Sequence, residues 1–228
     1  MRRWAQPGSE LRFCFMTANA ADALHPPVQQ RSRASLERVL EAGMSVLEEQ
    51  GYEGFTLAEV SRRAGVSIGS IYARLPSKEA LLRAIHERAM NTMGAERSAA
   101  TWDPPDELST SEVIAAAVHR VVDPLRRHSR GLRVFMHRAA VDEVVARRGA
   151  AATHRSSDDF KRHVLSRRAE FTHPDPELAA DVAFRFVFST MARQVMYGPT
   201  FESSNVIEWD DLVDELCTAC ERYLTGGR

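Results

Sequence analysis

Between Phe55 and Leu82 the chain reads "FTLAEVSRRAGVSIGSIYARLPSKEALL", and its punctuation forces three short helices in close succession. Thr56 with Glu59 has the spacing of a capping box, and Phe55 with Val60 that of a hydrophobic staple. Gly65 supplies a stop, because glycine enters the left-handed conformation that closes a helix without steric penalty. After a very short turn, Ser67 is placed to cap a second helix. Pro76 cannot continue that helix, and Ser77 opens a third whose inner stripe is Leu81, Leu82, Ile85 and Ala89. Such a unit fits a helix-turn-helix.

The rest of the chain after residue 31 also reads as helix, with no sustained alternating pattern, which predicts an all-α fold. In "SLERVLEAGMSVLEEQG", Leu36, Val39, Leu40, Gly43, Val46 and Leu47 share one face, and Gly51 ends the helix. Residues 1–30, with "HPPVQQ", are expected to form a flexible tail, and Met16 is an alternative start. "WDPPDELSTSE" from Trp102 breaks the pattern, then offers Ser109 and Glu112 as a capping box. Beyond it the pattern predicts helices at 111–128, 131–148, 155–171, 176–197 and 206–224, with Pro124 either punctuating or kinking the first of them. The expected organisation is a tail (1–30), a helix-turn-helix unit (31–77), a connecting helix (78–100) and a larger helical domain (101–228).

Within the helix that Ser67 caps, Ile71 and Leu75 are four apart and can pack inward on Val60, Ala64 and Val66. Ile68, Gly69, Ser70, Tyr72 and Ala73 are then left outward, an arrangement suited to the major groove. Gly69 lets backbone approach, Ser70 can bond a base edge or a phosphate, and Ile68 can touch a thymine methyl. Thr56 and Lys78 open helices whose amides favour phosphate oxygens. Arg31 and Arg33, expected just before the first helix, can follow the backbone or enter the minor groove. The net charge of −1 gives no global signal for nucleic acid, so any such face has to come from local placement of charge.

The stretch from Thr56 to Leu82 resembles the DNA-binding signature of the TetR (tetracycline-repressor-like) family of bacterial regulators. The resemblance covers residues 36 to about 90 and is carried by Ala64-Gly65-Val66-Ser67, by Gly69, Ile71 and Tyr72 in register, and by Ser77-Lys78-Glu79. It implies that Ser67 to Arg74 form the reading helix and that Thr56, Tyr72 and Lys78 contact phosphates. Ala73, Arg74 and Leu75 depart from the family pattern, which often has aromatic or His residues there; Arg74 can add a phosphate or guanine contact. The resemblance further implies a dimeric, ligand-responsive repressor that binds a palindromic double-stranded DNA operator and is released by a small-molecule effector, with no cofactor.

For dimerisation, the helix containing "VAFRFVFSTMA" is apolar on almost every side, and the last helix carries a wide apolar stripe. Val182, Phe186, Trp209, Leu212, Val213, Leu216, Cys217 and Cys220 are the candidate interface residues of a four-helix contact about a two-fold axis. Candidate chamber-lining residues are Phe135, Met136, His137, His163, Phe184, Phe188 and Met191, a set whose spacing also suits plain core.

"CTAC", Cys217 and Cys220, has the spacing of a redox pair or half a zinc site, but lacks a second half and any βαβ context. Read as helical neighbours, the two are interface hydrophobes. No His pair at i, i+4 offers a metal clamp, and no phosphate loop or nucleophile motif suggests an enzyme. Three cysteines form no disulfide framework, which points to a reducing cytoplasm. No apolar run is long enough to span a bilayer, and the best candidate carries Arg185. A DNA-binding regulator without small-molecule sensing, and a helical-bundle enzyme, are the alternative readings.

Overall fold

A computed structural model describes residues 28–99 and 102–226, and it is all-α, with no strand among the described residues. Its helices are α1 (Val28–Gly54), α2 (Leu57–Ala64), α3 (Ile68–Tyr72), α4 (Lys78–Ala99), α5 (Thr110–Arg127), α6 (Ser129–Ala139), α7 (Glu143–Leu165), α8 (Pro176–Tyr197) and α9 (Trp209–Thr225), with a 3-10 turn at Arg168–Glu170. Most of the expected tail, Met16 included, lies outside the described residues. Residues 28–30 already belong to α1, so Arg31 and Arg33 lie on that helix rather than ahead of it.

The first helices follow their caps. Gly51, at φ +67°, breaks α1 one turn before its end. The Thr56 hydroxyl accepts the N–H of Glu59 at 3.2 Å. The Glu59 carboxylate, however, does not complete the box. It accepts from Arg62 and Arg63 at 2.6–2.9 Å, because charged donors bind a carboxylate more strongly than a neutral amide does. Gly65 closes α2 at φ +61°, and Ser67 caps α3 by accepting the N–H of Ser70.

Two differences from the sequence pattern lie in the larger part. The helices expected at 131–148 and 155–171 are instead α6 and α7, broken at residues 140–142. Asp142 is the cause: one oxygen accepts the N–H groups of Val144 and Val145 at 3.0 and 3.2 Å, which starts α7 at Glu143, inside the expected 131–148 helix and well before residue 155. In addition, α9 begins at Trp209 rather than near 206. The Ser109–Glu112 capping box closes in both directions, and α5 continues through Pro124.

Two apolar clusters result. The first gathers Val39, Val46, Phe55, Val60, Ile71, Leu81, Leu82 and Ile85, and extends to Phe135 of α6 and Val145 of α7. The second gathers Met90, Ile114, Val118, Phe160, Ala183, Val187, Met191 and Leu224. Helix α4 contributes to both. Helix α6 also lies close on α1: a Cβ at Gly131 would sit 3.1 Å from the Met44 sulfur, so a larger residue there would require Met44 to shift by a few tenths of an ångström. The segment from Trp102 to Leu108 is fastened to the end of α7 and the turn that follows it. His163 Nε2–H donates to the Trp102 carbonyl at 2.6 Å, and Arg167 donates to the carbonyls of Pro105 and Leu108.

Candidate functional site

Helix α3 is anchored on one side and open on the other. Ile71 is 2% exposed against the first cluster, and burying it contributes about 2–3 kcal/mol to holding the helix in place. Leu75 packs partly against the same cluster. Ser67, Gly69, Ser70, Ala73 and Arg74 are exposed, as are the apolar Ile68 (42%) and Tyr72 (49%). No atom of the surrounding chain lies within 4 Å of where a Cβ would project from Gly69. Ser67 and Ser70 share a hydroxyl–hydroxyl hydrogen bond of 2.8 Å at the start of the helix.

Two of the expected cations, Arg74 and Lys78, have internal partners. Arg74 is directed at α1, where its guanidinium donates to the Ser32 carbonyl and hydroxyl at 2.8 and 2.7 Å. It therefore ties the end of α3 to the turn carrying Arg31 and Arg33, both exposed. Lys78 Nζ donates to the Tyr52 carbonyl at 2.8 Å and lies 3.9 Å from the Tyr52 ring centroid. Its ammonium is thus already bonded within the chain.

A second feature lies between α4, α5, α6, α7 and α8: a cavity of about 340 Å³ with a mainly apolar wall. Of the expected lining residues, Phe135, Met136 and Phe188 border it. His137 is exposed and meets Tyr197 edge to face. Phe184 stacks on Phe188 but faces a neighbouring polar depression, and Met191 is fully buried in the second cluster. His163 is held at the Trp102 carbonyl and lines no part of the cavity. The sequence pattern missed the α4 wall, namely His86, Met90, Met93 and Arg97. Their 4-3-4 spacing continues the inner stripe of α4 past Ala89 and was the available signal.

His86 is 2% exposed, touches the Phe135 ring at a centroid distance of 4.7 Å, and its Nδ1 has no hydrogen-bond partner. Burial, helped by the nearby Arg148 charge, lowers its pKa to about 4. The imidazole is therefore neutral near pH 7, with one ring nitrogen able to donate and the other to accept.

Residues 39–85 match the family described as bacterial regulatory proteins, tetR family. That match is confined to the helix-turn-helix end of the chain, α1 to the first turns of α4. A 69-residue segment is 33% identical to the A-factor receptor protein of Streptomyces griseus, over 30% of this chain and 25% of that protein. The chain thus spans about a quarter of the length of that curated relative. Among solved structures, a transcriptional regulator from Rhodococcus sp. Rha1 superimposes with a TM-score of 0.61 at 21% identity, covering 84% of this chain and 96% of the other. A TetR-family regulator from Mesorhizobium loti gives 0.61 at 17% identity, over 85% and 96%. At these identities the likeness establishes the fold, a TetR fold across both parts of the chain.

The eight residues expected at a dimer contact divide into two sets. Val213 and Cys220 are buried within the protomer, packed in its own second cluster. Val182, Trp209, Leu212, Leu216 and Cys217 remain partly open, and Phe186 is 47% exposed with its ring against Tyr223 at 5.5 Å. Burial pushes the Cys217 and Cys220 thiols up to about 11 and about 12, which leaves them protonated and poor nucleophiles at neutral pH. No described group of three or more His, Cys, Asp or Glu side chains is arranged to hold a metal, and no described helix is long and apolar enough to cross a membrane.

Proposed function

We propose that this TetR-family regulator is a cytoplasmic repressor that binds a palindromic operator as a homodimer and releases it when a small molecule fills the cavity beside α4. The exposed face of α3 carries this reading: Ile68, Gly69, Ser70 and Tyr72 stand open on a helix whose opposite side is fixed by Ile71. An apolar Ile and Tyr left in water beside a small glycine suit a groove floor better than a solvated surface. Thr56, Ser67, Ala73, Arg74, Lys78, Arg31 and Arg33 surround that face and supply backbone contacts, Lys78 by exchanging its Tyr52 carbonyl for a phosphate oxygen. The open parts of α8 and α9 form the dimer contact, with Val182, Phe186, Leu212, Leu216 and Cys217 outward. Two copies of α3 then meet successive major grooves about 34–36 Å apart.

Helix α4 couples the two activities. Leu81, Leu82 and Ile85 pack in the same cluster as Ile71, while His86, Met90, Met93 and Arg97 line the cavity. An effector that binds better to one α4 position than another shifts the dimer between DNA-competent and incompetent spacings, by no more than its differential affinity. The unit of residues 31–77 reads DNA, the helix of 78–100 transmits, and the remainder binds effector and partner. Mobility shift with DNA flanking the chain's own gene tests this reading: sequence-specific retention of a dimer, reversed by a cavity ligand, supports it. A protein that retains no DNA in any ligand state contradicts it.

A further inference from the structure

The wall that α4 presents to the cavity has a polar group at each end and methionine between. His86, Met90, Met93 and Arg97 fall on one face, and the outer two are eleven residues apart, about 16 Å of helix rise. At one end stands the buried His86 with its unpartnered Nδ1. At the other, Arg97 forms a wall shared by the cavity and an outer depression that also holds Ser98, Arg155, Asp158, Asp159 and Arg162.

Arg97 is short of negative charge. It makes no ion pair or hydrogen bond with any described residue, and its partial burial lowers its pKa against the attraction of Asp159. Asp159 is already shared by Arg120, at 3.1 Å, and Arg162. Asp158 is exposed and pairs with Lys161 at 3.4 Å. Arg97, Arg120, Arg155 and Arg162 thus surround two carboxylates that are otherwise engaged. A half-buried guanidinium beside an apolar wall costs free energy unless an anion accompanies it. Between the two ends the cavity offers Met90, Met93, Leu125, Met136 and Phe188, surfaces that take an alkyl or other apolar body and adapt to its shape.

We infer that the effector is an elongated amphipathic acid: an anionic group at Arg97, an apolar body along Met90 and Met93, and a neutral hydrogen-bonding group at His86. This rests on the reading of the cavity as the effector site. Both polar contacts fall on α4, so such a ligand would grip the helix that joins the two clusters at two points, and its length must match the separation of those points.

The test uses 12-hydroxydodecanoic acid, its methyl ester and dodecanoic acid as probes, with affinities measured by calorimetry on the full chain. The hydroxy acid is expected to bind at least about tenfold more tightly than its ester, and more tightly than dodecanoic acid. Arg97→Met should abolish the preference for acid over ester while leaving ester binding unchanged, and Arg97→Lys should keep part of it. His86→Phe should abolish the preference for the hydroxylated chain. Circular dichroism controls for folding, and the Arg97→Lys comparison decides the charge requirement should Arg97→Met not fold. If ester and acid bind wild type equally, the proposal falls and the cavity remains a site for a neutral effector; if the acid preference survives Arg97→Met, Arg97 does not hold the anion and the proposal falls. If no probe enters at all, the proposal and the reading of the cavity as an effector site fall together.

Discussion

Arg83 and Asp142 lock α4 to the start of α7. Arg83 Nε donates to one Asp142 oxygen at 2.8 Å, while the other oxygen caps α7 through the N–H groups of Val144 and Val145. The carboxylate is nearly fully buried, whereas Arg83 is 43% exposed. The pair sits one turn from His86, so the helix that reaches the cavity is also pinned at the boundary between α6 and α7. Replacing Asp142 by Ala removes the cap and should destabilise the protein by about 2 kcal/mol in urea unfolding. Asn keeps the cap but not the charge, and should cost less.

The same pair sets an acid dependence. Burial alone would raise the Asp142 pKa, but the Arg83 hydrogen bond and the Val145 and Val144 amides outweigh it and leave it lowered. A depressed carboxylate contributes stability that is present above its unfolded value of about 3.9 and is lost as pH falls through the lower folded value. The stability gap between wild type and Asp142→Asn should therefore narrow below about pH 4, measured as the difference in urea midpoints.

His86 gives the opposite test. Its folded pKa of about 4 lies below the unfolded value of about 6.5, so the unfolded chain binds the extra proton between them and stability rises with pH across that window. His86→Phe should lose this part of the pH dependence. Relative to wild type, the variant should gain stability on moving from pH 7 to pH 5, and a constant difference would show that His86 is not buried neutral.

Gly65 isolates the turn between α2 and α3. At φ +61° no clash is expected from a new methyl group, yet any side chain there is strained. Gly65→Ala should cost about 1 kcal/mol in unfolding. DNA affinity should fall more than stability does, because the turn sets the direction in which α3 projects.

Lys78 and Ser70 should behave differently on DNA. Lys78→Gln should weaken binding to all sequences alike and reduce the salt slope by about one, as loss of a phosphate contact does. Ser70→Ala should instead change the ranking of operator variants. Selection from a randomised duplex pool, run for both proteins, separates the two effects.

Much of the small N-terminal unit was legible because its signals are local. Caps at Thr56, Ser67 and Ser77, the stop at Gly65 and the inward Ile71 all act within a few residues, and each appears in the fold. The larger part was harder. Asp142 reads as one acidic residue among many until tertiary structure buries it against Arg83, so the break between α6 and α7 was invisible to helical periodicity. The cavity wall failed for a related reason: Phe184, Met191 and His163 have the composition of a lining, but packing decides which side of a helix faces empty space. Conversely, no local sequence signal marks Arg97, and only its place beside an apolar cavity distinguishes it.

The most direct measurement is recovery of bound genomic fragments by the wild-type protein and by a Ser70→Arg, Tyr72→Ala double variant of unchanged helix content and oligomeric state. The account predicts that wild type enriches an inverted repeat whose half-sites lie about one or two helical turns apart, and that the variant loses this enrichment. Equal enrichment of the same repeat by both proteins, or none by the wild type, would contradict it.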